Sequence, residues 1–341
     1  MITKVSRWIT PGDEIITSKG KHYRLKKVGS NWAIAELLGI DRDYQAYTDQ
    51  FSKIAVPTVS EITRNRTVAI YHTHTDESYL PSDGRISIPF NGGIIQVGST
   101  YKSTLLQEGA RVLHNVTPHD PHDNNAYYRS RRTAFQLMKN NPLAIFDVHR
   151  DGIDDPEFYR EYIANKNVAQ IRIVIGRQNP HMAANLDFAK KMMAYANRIN
   201  PSIVKEIFMG SGNYNQDLMP TALLLEAGTY TNRKEEAMKG VELLAHAVPV
   251  VLGFDKKPAA PLSEPENRQS GAWWSLALII FLTLLGGGAF VLVNAGSPEE
   301  AKKQVSLFYK ANLSGTLSIL QKKIKGTKWY KSLMEWKRKL P

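Results

Sequence analysis

Five short apolar runs, separated by longer amphipathic stretches, dominate the sequence between residues 67 and 254. Each run has the length of a buried strand, and Val, Ile and Leu are its main residues. The stretches between them space their apolar residues as helices do. Strands that alternate with helices predict an α/β fold, with a mixed, mostly parallel sheet flanked by helices. The runs are VAIY (68–71), LAIFDV (143–148), IRIVI (171–175), IVKEIF (203–208) and TALLLEA (221–227), and the helical stretches lie near residues 101–113, 125–140 and 183–199.

The first 60 residues differ from the region that follows them. Residues 18–21 form a turn signal between two short strand-like runs, which predicts a β-hairpin. The apolar stretch up to Ile40 predicts a helix after this hairpin. We therefore expect a small N-terminal α+β segment at residues 1–60 and an α/β domain at residues 61–254. The domain is expected to end in a helix after Asn232, where Glu235 follows as in a capping box.

The C-terminal part contains one long apolar run. Residues 273–293 (WWSLALIIFLTLLGGGAFVLV) are 21 residues without a charge, and about 20 apolar residues span a bilayer as a helix. This run predicts a transmembrane helix, and its paired tryptophans suit a membrane interface. Residues 255–272 are rich in Pro, Ala, Ser and Glu, which predicts an extended linker. Residues 294–341 space Leu and Trp at helical intervals among lysines, which predicts a basic amphipathic tail.

The positive charge of the chain is concentrated in this tail. The formal net charge is +12, from 44 Lys and Arg against 32 Asp and Glu. Residues 294–341 hold 11 basic and 3 acidic residues, a net of +8, which leaves 33 basic and 29 acidic residues, a net of +4, for the rest. This distribution favours a membrane surface over nucleic acid as the partner, because a protein that binds nucleic acid carries its basic residues on the folded domain.

The charge asymmetry also predicts an orientation in the membrane. Basic residues favour the cytoplasmic side of a span, so we expect a single-pass protein of the cytoplasmic membrane with the tail inside and the N-terminal domain outside. The first 20 residues contain no continuous apolar stretch of the kind a signal peptide has. Either an export signal lies upstream or the orientation is reversed, and we expect the upstream signal.

Histidine and glutamate side chains occur where three of the predicted strands end. His72, His74 and Glu77 follow the first strand, His149 follows the second, and Glu226 lies at the end of the last. Because ligands bind beyond the carboxyl ends of strands in open α/β sheets, we expect these side chains to share one edge. With no cysteine in the chain, a metal must rest on His and carboxylates. Two His and a Glu around zinc form a recognised catalytic arrangement, so the sequence predicts a zinc site here.

Alternatives remain for these residues. Taken singly, the His-x-His pair suits a polar strand end, and Glu226 suits a carboxylate that caps a helix. A second polar cluster also competes for a metal. No predicted strand positions this cluster, so we favour the residues at the strand ends. The cluster consists of His114, His119, Asp120, His122 and Asp123.

Four motifs, in order along residues 67–254, resemble the stage II sporulation protein P family of cell-wall hydrolases. They are IYHTHTDESYLP (70–81), NNAYYRSRRTAFQLM (124–138) leading to DVHRDG (147–152), AANLDFAKKM (183–192) and LLLEAGTYTN (223–232). The resemblance implies a fold like that of the zinc-dependent N-acetylmuramoyl-L-alanine amidases. It also implies cleavage of the amide between muramic acid and the stem peptide of peptidoglycan, with peptide cross-links as a further target. The family is associated with a partner enzyme, stage II sporulation protein D.

The resemblance also assigns roles to residues of this chain. One His of the HTHTDE run, Glu77 and His149 are implied as zinc ligands, and Glu226 as the catalytic carboxylate. His74 is preferred because it lies further past the strand end, and His72 is its alternative. In the related amidases the glutamate ligand lies much further from its His than Glu77 does here. Arg150 is predicted to contact a substrate carboxylate, since guanidinium pairs bidentately with carboxylates.

One feature departs from the usual layout of the family. The layout that the resemblance implies is an N-terminal membrane anchor followed by the enzyme. Here the predicted anchor is C-terminal, at residues 273–293. We expect an anchored zinc amidase that remodels peptidoglycan during sporulation. A membrane-tethered peptidoglycan-binding scaffold with a degenerate amidase fold is the alternative, and an intracellular metallohydrolase is a second rival.

Overall fold

The computed structural model describes residues 1–53, 66–163, 165–253 and 294–308. In these ranges the strands are β1 (Glu14–Thr17), β2 (Lys21–Val28), β3 (Ala33–Ile40), β4 (Thr67–Tyr71), β5 (Arg111–His114), β6 (Ala144–Asp151), β7 (Arg160–Ile163), β8 (Lys166–Ala169), β9 (Ile171–Gly176), β10 (Val204–Gly210) and β11 (Ala222–Thr229). The helices are α1 (Arg42–Lys53), α2 (Leu80–Asp83), α3 (Ile94–Gln107), α4 (Ala126–Met138), α5 (Met182–Ile199), α6 (Lys234–Ala245), α7 (Val248–Leu252) and α8 (Pro298–Phe308).

A nine-stranded mixed sheet forms the centre of the first unit, Met1–Leu262. Its order is β3-β2-β1-β10-β9-β11-β6-β4-β5. All five strands predicted from the apolar runs are confirmed as β4, β6, β9, β10 and β11. Four of the eight strand pairs in this nine-stranded sheet are parallel, and its antiparallel pairs include β9 with β11. The fold is thus a mixed α/β sheet as predicted, but parallel pairing makes up only half of it.

Helices and the N-terminal segment cover the two faces of this sheet. Alternate residues of a strand point to opposite faces. Ile70, Phe146 and Leu225 therefore pack in the large core that includes residues of α3, α5 and α6. Strand residues that point to the other face pack against α4. On that face Val174 packs against Val5 and Ile9 of the N-terminal segment. The predicted flanking by helices is confirmed.

The N-terminal segment extends the main sheet. The predicted hairpin is confirmed as β1 and β2, but the stretch up to Ile40 that predicted a helix is strand β3, paired antiparallel with β2. Ladder hydrogen bonds to β2 outweigh the helix propensity of this stretch, and the helix begins only at Arg42. Strand β1 pairs in turn with β10, with Glu14 opposite Met209. The boundary predicted at residue 60 falls in residues 54–65, outside the described ranges.

Two predicted helix limits are corrected by the structure. Helix α3 ends at Gln107, and Gly109, with φ of 90°, turns the chain into strand β5, where the helix was predicted to continue to residue 113. The capping box of α6 lies one residue later than predicted, with Arg233 at the N-cap and Glu236 at the third helical position.

The second unit is Ser263–Pro341, of which the described part contains helix α8. The predicted linker and span at 255–293 and the tail beyond residue 308 lie outside the described residues. Among the helices that are described, none has both the length and the apolar character that a bilayer crossing requires.

Candidate metal and catalytic site

Three neighbouring strands bring the predicted site residues to one edge of the sheet. Strands β4, β6 and β11 are adjacent and parallel, so their carboxyl ends lie together. Glu226 on β11 is the register partner of His149 on β6. The turn after β4 carries His74 and Glu77 towards the same edge, where both come close to His149. The shared location expected from the sequence is therefore present.

His149 and Glu77 form a buried pair in this cluster. Nδ1 of His149 lies 3.4 Å from Oε2 of Glu77, and both side chains are buried. The backbone N–H of Arg150 donates a 2.9 Å hydrogen bond to the same Oε2 atom. Burial raises the pKa of Glu77, but His149 and Arg150 outweigh burial and hold this pKa well below its ordinary value. Glu77 is therefore anionic at neutral pH.

His74 completes a set of three. Its ring centroid lies 5.3 Å from that of His149, and its Nδ1 atom is buried without a hydrogen-bond partner in the described structure. Burial lowers the pKa of His74 to about 4, so the imidazole is neutral and can donate a lone pair at neutral pH. An unpartnered buried nitrogen is costly unless something outside the protein chain binds it.

The donor types of these three side chains suit a zinc ion, and two of them stand at a ligand-like spacing. Two ligands at about 2.0–2.1 Å from a tetrahedral zinc stand about 3.3 Å apart, which is close to the observed spacing of His149 Nδ1 and Glu77 Oε2, 3.4 Å. The donor set of two imidazoles and one carboxylate suits zinc, and Nδ1 of His74, which has no hydrogen-bond partner within the described part of the chain, would supply the third donor.

His72 is directed away from this cluster. Its Nδ1 lies 2.8 Å from the carbonyl oxygen of Val148, and its Nε2 lies 2.9 Å from Nε2 of His114. Burial lowers the pKa of His72 to about 4. Since both ring nitrogens are engaged, the geometry favours His74 over its alternative.

A second carboxylate, Asp147, lies beside the other ring nitrogen of His149. Nε2 of His149 lies 2.9 Å from Oδ1 of Asp147, within ion-pair distance but outside hydrogen-bond geometry. Asp147 is fixed in turn by Thr73, which donates from its backbone N–H at 2.8 Å and from Oγ1 at 2.6 Å. Burial lowers the pKa of His149, but Asp147 and Glu77 outweigh it and raise that pKa well above its ordinary value. A carboxylate behind a metal-binding imidazole fixes the ring orientation and raises its basicity.

We predict that Asp147→Asn lowers zinc affinity about 10–100-fold, because the ring of His149 loses its anionic support. Competition with a chromophoric chelator measures this affinity. Asp49→Asn on the exposed side of α1 is the control and should bind zinc as the wild type does. Equal affinities for the two variants would show that Asp147 does not support the metal site.

Glu226 is buried on the same face of the sheet. An ion pair with Nη2 of Arg7 engages its Oε1, and its Oε2 is buried without a hydrogen-bond partner in the described structure. Burial raises the pKa of Glu226 to about 7, against the opposing charge of Arg7. A carboxyl group with a pKa near neutrality is suited to accept and return a proton.

Arg150 is largely committed to the protein. Its Nε donates to the carbonyl of Ser78 at 3.3 Å, and its Nη2 donates to that of Ile86 at 3.0 Å. Its Nη1 also lies 3.8 Å from Oε1 of Glu77. These contacts make Arg150 a support for the turn that carries Glu77. The substrate contact predicted from the sequence remains a prediction.

The structure distributes the competing histidine cluster over several roles. His119 lies with Nδ1 2.7 Å from the carbonyl of His72 and Nε2 2.8 Å from Thr133, and His114 pairs with His72. Asp120 accepts a hydrogen bond from Thr75, and Asp123 pairs with Arg129. These members therefore support the turn after β4 rather than a separate metal site.

His122 is the member that reaches the candidate site. Its ring stacks on His74 with centroids 3.9 Å apart, and its Nδ1 lies 3.0 Å from Oδ1 of Asp76. His74, Asp76 and His122 place ligand atoms within 4.8 Å of one another, and among the described residues this is the one group of three that does so. They form a rival ligand group that shares His74. The side chain of His122 is 41% exposed, and that of His149 is 3% exposed. We favour His149 as the partner of His74 because it is buried beside a second carboxylate.

Sequence reasoning missed Asp147, Tyr127 and Arg7. Tyr127 lies edge-on to His74 and stacks at 6.4 Å on His149, which makes it a wall of the site. Asp147 carried a weak signal, because it precedes His149 by two residues and so points to the same face of β6. Arg7 carried none, since 219 residues separate it from Glu226.

The fold and site define the class of protein: a mixed α/β domain with a His and carboxylate cluster at the carboxyl ends of adjacent parallel strands. The family model described as stage II sporulation protein P matches residues 27–249. The chain belongs to this family. Stage II sporulation protein P of Bacillus subtilis (strain 168) is 27% identical over an alignment of 199 residues, and the match covers 53% of this chain and 49% of that protein. The chain thus spans about half the length of the curated relative it matches.

Two solved structures are also similar to this chain. The N-acetylmuramoyl-L-alanine amidase from Clostridium difficile 630 is 14% identical with a TM-score of 0.33, over 56% of this chain and 95% of that one. The CwlD amidase from Clostridioides difficile, in complex with the GerS lipoprotein, is 11% identical with a TM-score of 0.33, over 55% of this chain and 96% of that one. Likenesses of this size carry no argument about the site.

Proposed function

We propose that the chain is a zinc-dependent peptidoglycan hydrolase, specifically an N-acetylmuramoyl-L-alanine amidase. The observation that carries this proposal is the group formed by His74, Glu77 and His149, with a ligand-like spacing of 3.4 Å between Glu77 and His149. Glu226, a buried carboxylate with an unpartnered oxygen, lies on the strand next to His149. Membership in the stage II sporulation protein P family supports peptidoglycan as the substrate and sporulation as the setting.

The residues of this chain divide the chemistry among them. His74, Glu77 and His149 would hold the zinc ion, which when bound supplies a Lewis acid and lowers the pKa of water. Oε2 of Glu226 accepts a proton from the attacking water and returns it to the leaving amine of the stem peptide. The water oxygen joins the carbonyl carbon of the lactyl group as the C–N bond breaks, so a carboxylic acid and an amine are released.

The predicted location and partners belong to the same proposal. The apolar run at 273–293 would anchor the chain in the cytoplasmic membrane, with the basic tail inside and the enzyme facing the cell wall. The linker at 255–272 would let the domain reach the wall. Stage II sporulation protein D is the proposed partner, since it is associated with the family.

Mass spectrometry of the products from purified sacculi tests the proposed bond. An amidase releases stem peptides with a free L-alanine amine and leaves glycan strands without peptide. Cross-link cleavage instead leaves stem peptides that are attached to the glycan but no longer joined to each other, which would make the chain an endopeptidase. If the protein bound to sacculi but released no product, this result would contradict the proposed enzymatic activity and support the alternative of a peptidoglycan-binding scaffold.

A further inference from the structure

The segment that precedes the hairpin lies across the sheet beside the candidate site. Oγ1 of Thr3 donates to Glu206 at 2.6 Å, and the carbonyl of Lys4 accepts from Arg172 at 2.6 Å. Oγ of Ser6 donates to Asp151 at 2.5 Å. These contacts tie residues 3–7, which we term the N-terminal strap, to β6, β9 and β10. The strap lies outside residues 27–249, the range that matches the family.

The strap ends in Arg7, which contacts the candidate general base. Its Nη2 forms the ion pair with Oε1 of Glu226 described above, and both side chains are largely buried. The guanidinium carbon lies 5.9 Å from the ring centroids of both Phe208 and Tyr214. Two aromatic rings, and the side-chain contacts of Thr3 and Ser6 in the strap, therefore fix the position of this charge.

The two oxygens of Glu226 have different surroundings. Oε1 is held by Arg7, whereas Oε2 has no hydrogen-bond partner among the described residues. A guanidinium on one oxygen restricts rotation of the carboxylate and leaves one defined oxygen to receive a proton. It also supplies the positive charge that a buried carboxylate needs to remain ionised.

We propose that Arg7 is a positioning residue for hydrolysis: it holds the Glu226 carboxylate through Oε1 and leaves Oε2 to take the proton from water. This inference rests on the proposed function. It assigns a positioning role to the side chain of one residue, Arg7, which lies outside the range shared with the family. Arg7 acts through Glu226 and has no ligand role towards zinc, because a guanidinium has no lone pair to offer.

The test compares Arg7→Ala, Arg7→Lys and a control in the full chain. The control is Lys4→Ala, which removes a half-exposed ion pair with Asp155 from the same strap. We expect Arg7→Ala to lower kcat on labelled sacculi about 100-fold with KM nearly unchanged and zinc content unchanged. Arg7→Lys should recover part of this loss, and millimolar guanidinium should partly rescue Arg7→Ala. Lys4→Ala should have wild-type kcat.

Four results would overturn the role of Arg7. Unchanged kcat in Arg7→Ala would show that Glu226 needs no support, and a higher kcat would show that the strap blocks the site. Arg7 would have a structural role if both variants lost activity, guanidinium gave no rescue and the melting temperature fell. A wild type that binds zinc but releases no product would overturn the proposed function as well, which separates that failure from the other three.

Discussion

Glu226→Gln is expected to abolish turnover of peptidoglycan while zinc stays bound. The amide is nearly isosteric with the carboxyl group but cannot accept a proton at neutral pH, so kcat should fall by about 10²–10⁴-fold. Zinc should remain because Glu226 pairs with Arg7 and is not one of the three proposed ligands. Product release from labelled sacculi and metal content per chain measure the two effects.

The control for this variant is Glu161→Gln on the exposed side of β7, which should have wild-type turnover. Loss of zinc from Glu226→Gln would show that Glu226 is a ligand. Turnover at the wild-type rate would remove it from the mechanism altogether.

His149→Ala is expected to lose both zinc and activity. The variant removes one of three ligands and leaves Glu77 and Asp147 as buried carboxylates without their shared imidazole. Since losing a support behind a ligand already costs about 10–100-fold in metal affinity, losing the ligand itself should cost more. Zinc content after dialysis and turnover on sacculi measure the loss.

His122→Ala separates the two possible ligand groups. Nδ1 of His122 contacts Asp76 and its side chain is 41% exposed, so this variant should retain zinc and most activity. The reverse pattern, with zinc kept in His149→Ala and lost in His122→Ala, would assign the metal to His74, Asp76 and His122.

The chemistry at the strand ends was predictable because it depends on local sequence. A run such as VAIY is long enough only for a strand, and the parallel pairing of β4, β6 and β11 brings their carboxyl ends together. His74 and His149 could therefore be placed at one edge without a structure. The choice between His72 and His74 needed the packing, because only the structure shows His72 engaged by Val148 and His114.

Other features depend on contacts that local patterns do not encode. The stretch up to Ile40 has residues that suit a helix, and it becomes β3 because β2 offers an edge for pairing. Arg7 lies in a segment without regular secondary structure, and the course of that segment brings its side chain to Glu226. Long-range contacts of this kind decide how the general base is held, and the sequence gives no spacing from which to predict them.

Removal and return of zinc test the central claim most directly. The full chain would be stripped with a chelator, dialysed, and assayed on labelled sacculi before and after one equivalent of zinc is added, with the released peptides identified by mass. We predict no release from the stripped protein, recovery with zinc, and free L-alanine amines on the released peptides. Full activity in the stripped protein, or recovery of zinc binding without any release, would contradict a zinc-dependent amidase.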